Sequence, residues 1–277
     1  MPFFETPDGC RLFYDLQGWD CPSHPAVVFL NGFSQNTLFW TLQAATFRDA
    51  FRVIRYDARS QGNSDIGNRS LSLDIHLDDL SGLLDHLGVA SAHLIGLSHG
   101  ACVALAFASG RSGQAASIVL CGLGTGPVDG ARAVGASWLD VLEEKGLDGL
   151  ARKFFSDVVG SSYLDAGPRM SEGMVKAFVR RNSKEKLETM LRAILAYPPV
   201  QSLAAGALPP ALVIAGSRDA LVSTEGAREL AAICQAEYRE IPLAGHAMPI
   251  EAPQVFNTIV VKFLNSLAKR KSPARFQ

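Results

Sequence analysis

Six short apolar runs recur along this chain, and their lack of clean polar alternation constrains the fold more than any other feature. They are Ala26–Leu30, Phe51–Tyr56, Ala92–Leu97, Ser117–Cys121, Ala211–Ala215 and Tyr238–Leu243. A strand with one wet face alternates apolar and polar residues, whereas a strand covered on both faces has no reason to. Longer segments with apolar residues at three-to-four spacing separate the runs. The expected fold class is therefore α/β, a mostly parallel central sheet with helices on both faces. Arg11–Leu16, ahead of the first run, is expected in an antiparallel edge hairpin.

Helix signals fit between these strands. Ser72 is placed to cap a helix carrying Leu73, Leu77, Leu80, Leu84 and Leu87, with Gly88 as its stop. Ala101–Ala108 is apolar on every face, as a helix buried against a sheet can be. Val255–Leu267 is amphipathic and entered through Pro253, which predicts a final helix. One stretch breaks the alternation. From Gly124 to Leu208 no strand is legible, but helical patterns cover Trp138–Leu150, Ala151–Val159, Met174–Arg181 and Lys184–Tyr197. A helical insertion between two sheet strands predicts a cap, with hinges at Gly122, Gly124, Gly126 and Pro127 and at Pro198, Pro199, Pro209 and Pro210. The expected organisation is a core of residues 1–123 and 209–270, a helical cap (lid) of residues 124–208, and a tail of residues 271–277.

Composition narrows the function. The formal net charge is −1, so there is no basic excess to neutralise nucleic-acid phosphates. The one basic run, Lys269, Arg270, Lys271 and Arg275, reads as a solvated tail. Five cysteines at Cys10, Cys21, Cys102, Cys121 and Cys234 are odd in number, widely spaced and without a C-x-x-C pair, which argues against a disulfide framework or zinc site. The first residues lack the basic-then-apolar pattern of a secretory leader. No apolar run approaches the ~18 residues of a membrane span. A soluble, cytoplasmic protein is the expectation, with no nucleic-acid partner.

The sharpest local signal is Gly96-Leu97-Ser98-His99-Gly100, which follows an apolar run and precedes the apolar helix. A strand that turns at once into a helix strains its turn residue, and flanking glycines let the backbones approach. That geometry would lift the Ser98 hydroxyl clear of the sheet, at a helix N-terminus that favours negative charge. A serine hydroxyl needs a base to become a nucleophile. His246, three residues past the last apolar run, is the candidate. His24 precedes the first run, His76 and His86 lie on the polar or flanking side of a helix, His93 begins a strand, and His99 adjoins the nucleophile. Asp219, just past the penultimate run, is the candidate to orient the imidazole. The alternative slot one strand earlier, Cys121-Gly122-Leu123-Gly124, holds no carboxylate. The oxyanion of a tetrahedral intermediate would take the His99 N–H and an N–H from the loop Leu30-Asn31-Gly32-Phe33-Ser34, with Phe33 the candidate.

With these sites marked, the chain resembles the α/β-hydrolase superfamily along nearly its whole length. The resemblance is carried by Asn31-Gly32-Phe33 with Trp40, by Tyr56-Asp57-Ala58-Arg59-Ser60-Gln61-Gly62-Asn63-Ser64, by the turn at Ser98, by the Asp219 segment and by Gly245-His246. Phe51 to Leu87 looks most like the 3-oxoadipate enol-lactonase and small carboxylesterase branch, and carrier-protein methyl esterases share the plan. The resemblance implies a serine hydrolase that cleaves a carboxylic ester, lactone or thioester of a small to medium acyl group through an acyl-enzyme on Ser98. It implies no metal or organic cofactor, and a small-molecule substrate that could be carrier-protein-linked. It also implies that Asp57 and Arg59 form a structural corner.

Three departures bear on substrate more than on catalysis. Asn31-Gly32 stands where the family usually has His-Gly, a change also found in hydroxyacyl-transferring relatives, so acyl transfer to an alcohol or thiol stays open. Ser60 replaces a glycine, which is tolerable if its backbone is not left-handed. The turn reads Ser-His-Gly-Ala where many members have Ser-Met-Gly-Gly. A third reading, a ligand receptor with little turnover, has no need of Ser98, Asp219 and His246 together. Phe33, His99, Trp138 and Phe155 are the candidate substrate-binding side chains, although such cap aromatics can equally form the cap's own core.

Overall fold

The computed structural model describes residues 2–111, 113–126, 128–159 and 167–271. Pro127 and the expected tail from residue 272 onward lie outside them. The strands are β1 (Phe3–Glu5), β2 (Arg11–Gln17), β3 (Ala26–Leu30), β4 (Arg52–Tyr56), β5 (Ala92–Leu97), β6 (Ala115–Cys121), β7 (Ala211–Gly216) and β8 (Glu237–Ile241). They form one sheet in the order β1-β2-β4-β3-β5-β6-β7-β8. β1 pairs with β2, and β2 with β4, antiparallel. All the other neighbours pair parallel.

The helices are α1 (Thr41–Phe47), α2 (Leu73–His86), α3 (His99–Gly110), α4 (Val128–Val158), α5 (Pro168–Arg181), α6 (Lys184–Leu195), α7 (Val200–Leu203), α8 (Thr224–Ile233), α9 (Met248–Glu251) and α10 (Pro253–Lys271). Strand periodicity divides the core between the two faces. Val28, Leu94, Ile118 and Val213 pack with α2, α3 and α8. Val27, Phe29, Ile95, Val119, Leu212 and Ile214 pack with α1 and α10. Leu84, wholly buried, shows the scale of this packing: truncation to Ala would cost about 2–5 kcal/mol.

The Ser72 hydroxyl caps α2 by accepting the Ile75 N–H, as expected from sequence. Other expectations are corrected. β8 is half-exposed rather than buried on both faces, because it closes the sheet edge. Leu243 lies beyond it, left-handed at φ 64°. The helix break expected at Leu150–Ala151 falls instead at Gly146, whose φ of 65° and ψ of −162° no helix can continue.

Helices α4 to α7 lie between β6 and β7 in the chain. α4, α5 and α6 build a third apolar cluster, with Trp138, Leu142, Leu150, Phe154, Phe178 and Met190, into which the core contributes Phe33 and Leu221. Lys186 of α6 donates to the carbonyls of Gly62 (2.8 Å) and Ser64 (2.7 Å), tying this segment to the loop after β4. The parallel strands β3, β4, β5, β6, β7 and β8 end on the same edge of the sheet, the edge at which open α/β sheets bind ligands. No helix among the described residues is long and apolar enough to cross a membrane.

Candidate active site

Ser98 stands between β5 and α3 at φ 53° and ψ −114°. An L-residue adopts this region only under strain, costing about 1–3 kcal/mol. Two close approaches enforce it. A Cβ on Gly96 would lie 2.3 Å from the Gly100 carbonyl oxygen, and one on Gly100 would lie 2.3 Å from the Leu30 oxygen. The Ser98 N–H donates to the Cys121 carbonyl at 2.8 Å, and its own carbonyl receives the N–H groups of Ala101 and Cys102. The serine is thereby locked at the head of α3, where the helix dipole favours negative charge.

The loops after β7 and β8 are bound to one another. Arg218 N–H donates to Ala244 O at 2.8 Å, and Ser217 N–H to Ile241 O at 3.1 Å. Gly216 permits the contact, since a Cβ there would sit 2.3 Å from the Gly245 oxygen. This brings Asp219 Oδ2 to 2.8 Å from His246 Nδ1. Asp219 Oδ1 accepts the N–H groups of Leu221 (2.8 Å) and Val222 (3.0 Å), which fixes the carboxylate plane. A carboxylate on Nδ1 leaves Nε2 as the free lone pair of a neutral ring, the arrangement a general base needs. The His246 N–H donates to Val158 O at 3.1 Å, and Gly245 N–H to Glu251 Oε2 at 2.9 Å.

Gly122 joins the two halves. It follows Cys121, the residue that holds the Ser98 N–H, and a Cβ on it would meet His246 Cε1 at 2.8 Å and Nδ1 at 3.0 Å. The imidazole therefore rests on bare backbone beside the serine turn. Gly122, expected from sequence at a hinge, is left-handed at φ 56° and presents bare backbone to this side chain.

The two expected oxyanion donors come from neighbouring strand ends, since Leu30 of β3 pairs with Gly96 of β5. Neither the Phe33 nor the His99 N–H takes part in a loop or cap hydrogen bond among the described residues. Gln35 Oε1 accepts the Gly32 N–H at 2.8 Å, and Gln61 donates to Gly32 O at 2.7 Å, bracing the loop.

The four expected substrate-binding side chains do not share one wall. Phe33 stacks on Trp138 at 5.6 Å and meets Phe154 edge-on at 5.8 Å, so its ring sits in the cluster of α4. Trp138 Nε1 donates to Asp157 at 2.8 Å. Phe155 is half-buried against Phe154 and Phe178. The His99 ring instead contacts Tyr197 and His76.

His76 corrects the expectation of a polar-side histidine. It is 1% exposed, and burial together with the adjacent His99 pushes its pKa well below the ordinary value. Burial likewise holds His99 down to about 4. Ser60 is left-handed at φ 69°, against the sequence-based condition. Its N–H donates to Asp65 O at 2.9 Å and its hydroxyl to Lys186 O at 3.1 Å, bonds that offset the strain. Arg59 is buried and paired with Asp8 and Asp79, each at 2.8 Å. Asp57 accepts the N–H groups of Thr37 (2.6 Å) and Asn63 (2.8 Å). Both residues hold loops together. No group of three or more His, Cys, Asp or Glu side chains that could hold a metal ion occurs among the described residues.

Comparison with known proteins agrees with this architecture. The model of the "Alpha/beta hydrolase family" matches residues 27–259. The chain is 30% identical over 265 residues to the sn-1-specific diacylglycerol lipase ABHD11 of Mus musculus, covering 91% of this chain and 85% of that one. It is 23% identical over 249 residues to 3-oxoadipate enol-lactonase 1 of Acinetobacter baylyi, covering 88% and 90%. The crystal structure of the enol-lactonase from Burkholderia xenovorans superposes with a TM-score of 0.85 at 28% identity, covering 95% of this chain and 100% of that one.

Proposed function

Because this chain belongs to the alpha/beta hydrolase family, we propose that it is a serine hydrolase of carboxylic esters, lactones or thioesters with small to medium acyl groups. Ser98 is the nucleophile, His246 the general base and Asp219 the group that orients it. The observation that carries this reading is the convergence of the Asp219–His246 pair (2.8 Å) and the Ser98 turn on one strand end, Cys121-Gly122.

In this mechanism His246 Nε2 takes the Ser98 proton as Oγ attacks the substrate carbonyl. The tetrahedral oxyanion is held by the Phe33 and His99 N–H groups, each donor being worth about 3–4 kcal/mol. His246 then gives its proton to the leaving group and activates water for release of the acyl group. Helices α4–α7 act as a cap over this site, with residues 1–123 and 209–270 as the core domain. The enol-lactonase and lipase names of the relatives fit an acyl-oxygen bond as the target, and a carrier-linked thioester is the largest substrate within the proposal. The five free cysteines suit a reducing compartment such as the cytoplasm.

The test is hydrolysis of a chain-length series of p-nitrophenyl esters by the wild type and by Ser98→Ala. Release that depends on chain length and is lost in the variant supports the reading. Release retained by a folded Ser98→Ala variant removes Ser98 from the mechanism.

A further inference from the structure

His99 contributes its N–H to the proposed oxyanion site, but its side chain has a separate set of partners. Nδ1 lies 3.4 Å from the Asn31 carbonyl oxygen, and Nε2 lies 3.0 Å from the Tyr197 hydroxyl. A carbonyl only accepts, so Nδ1 carries the ring proton, Nε2 accepts, and Tyr197 O–H donates to it. Asn31 is two residues before Phe33, the other expected donor. Tyr197 follows α6, in the helical segment between β6 and β7. Its ring is buried and tilted against His99 at 5.8 Å, while His76 meets the same imidazole edge-on at 4.8 Å. The imidazole thus bridges the two backbone pieces that would bind an oxyanion, and its Nε2 bond reaches into the helical segment.

We propose that the His99 side chain and Tyr197 are positioning residues that fix the spacing of the Phe33 and His99 N–H groups, with Tyr197 transmitting the placement of the helical segment to the oxyanion site. The proposal rests on the reading of Ser98 as nucleophile. An oxyanion site works only when its donors are held 2.7–3.1 Å from the oxygen. The Gly32–Phe33 loop and the head of α3 are separate stretches of backbone, and side-chain bonds that span them remove the freedom that would spoil this distance. The helical segment reaches the site at two further points. It packs Trp138 on the Phe33 ring, and Val158 O receives the His246 N–H. Both oxyanion donors and the base therefore touch one segment, which makes that segment part of the catalytic scaffold as well as a cover.

The experiment uses a small alkyl fluorophosphonate on the full chain, so no natural substrate is needed. Ser98 Oγ forms a bond to phosphorus, fluoride leaves, the serine proton passes to His246, and the charge developing on the phosphoryl oxygen calls on the same two N–H groups. Labelling rate and site are read by intact-mass and peptide mass spectrometry, on protein shown to be folded by near-UV circular dichroism. Tyr197→Phe and His99→Leu are each expected to slow labelling of Ser98 about 10- to 100-fold, the range for sub-ångström to 1 Å misplacement. The double variant should be no slower than the slower single one, because both changes break one chain of bonds. His99→Gln, whose amide can donate to Asn31 and accept from Tyr197, should label faster than His99→Leu, and this comparison decides the matter if Tyr197→Phe does not fold. Ser98 labelled at the wild-type rate in folded Tyr197→Phe, or multiplicative effects in the double variant, would overturn the positioning role and leave the nucleophile standing. Absence of Ser98 labelling in the wild type would overturn both.

Discussion

Gly122→Ala tests the seat of His246 directly. The new Cβ would stand 2.8 Å from Cε1 and 3.0 Å from Nδ1 of the imidazole, and 3.3 Å from Leu97 Cδ1. Carbon atoms settle at about 3.5–4.0 Å, so the ring must retreat by roughly 0.7–1.2 Å. It cannot do so freely, because Asp219 holds Nδ1 at 2.8 Å and Val158 holds the backbone N–H. A shift of this size costs about 10²-fold in rate, or about 2.7 kcal/mol of transition-state stabilisation. The stability cost is smaller. Ala at a φ of 56° loses about 1–2 kcal/mol, and the stiffer unfolded chain returns about 0.4–1 kcal/mol. The net is about 1 kcal/mol, a fall in Tm of roughly 2 °C for a chain of this length. The assay is kcat on the best p-nitrophenyl ester, beside a thermal melt. A folded variant that keeps kcat within about twofold would refute the argument that the imidazole is placed by bare backbone at residue 122.

Three further outcomes are expected. Ser98→Gly should be inactive yet more stable than Ser98→Ala by about 1–2 kcal/mol, because only glycine relaxes at φ 53°; denaturant midpoints with Ser98→Ala the more stable would remove the claim of strain. Acid should weaken the fold before carboxylates titrate. The unfolded imidazole of His99 takes a proton below about 6.5, whereas burial keeps the folded one neutral to about 4. Its contribution is therefore complete above about pH 6.5 and is lost as pH falls toward 4, about 3 kcal/mol over the window. Urea unfolding at pH 7, 5.5 and 4.5 should show this slope, reduced in His99→Leu; an equal slope in both would refute it. Arg59→Leu should destabilise by about 3–5 kcal/mol, since it strands the buried Asp79 carboxylate. A thermal melt within 2 °C of wild type would show that the ion pair holds little.

The central strands were legible because burial on both faces leaves no polar alternation, as Val27, Val28, Phe29 and Leu30 show. The same rule misreads an edge: β8 leaves Arg239 exposed and Glu237, Tyr238 and Glu240 half-buried, because it is the last strand of the sheet. The serine turn was legible because its geometry demands glycine at 96 and 100, and each demand leaves a letter in the sequence. Gly122 left the same kind of letter, a glycine closing an apolar run beside that turn, and could have been read as a seat. Ser60 could not, because its left-handed backbone is held by Asp65 and Lys186, the latter more than a hundred positions away.

His76 is the instructive miss. Residues 76, 79, 80 and 83 fall on one helical face by three-to-four spacing, and Leu80 and Leu83 mark that face as the buried one. Reading His76 by residue type places it on the polar or flanking side; reading it by position places it inside with Asp79, where Asp79 meets Arg59 and His76 meets His99. A polar residue on an apolar stripe must find a partner or remain desolvated and unpaired. Such positions therefore point from the pattern of one helix to residues on other elements. Here His76 points to His99, and through it to Asn31, Tyr197 and the donors proposed for the oxyanion.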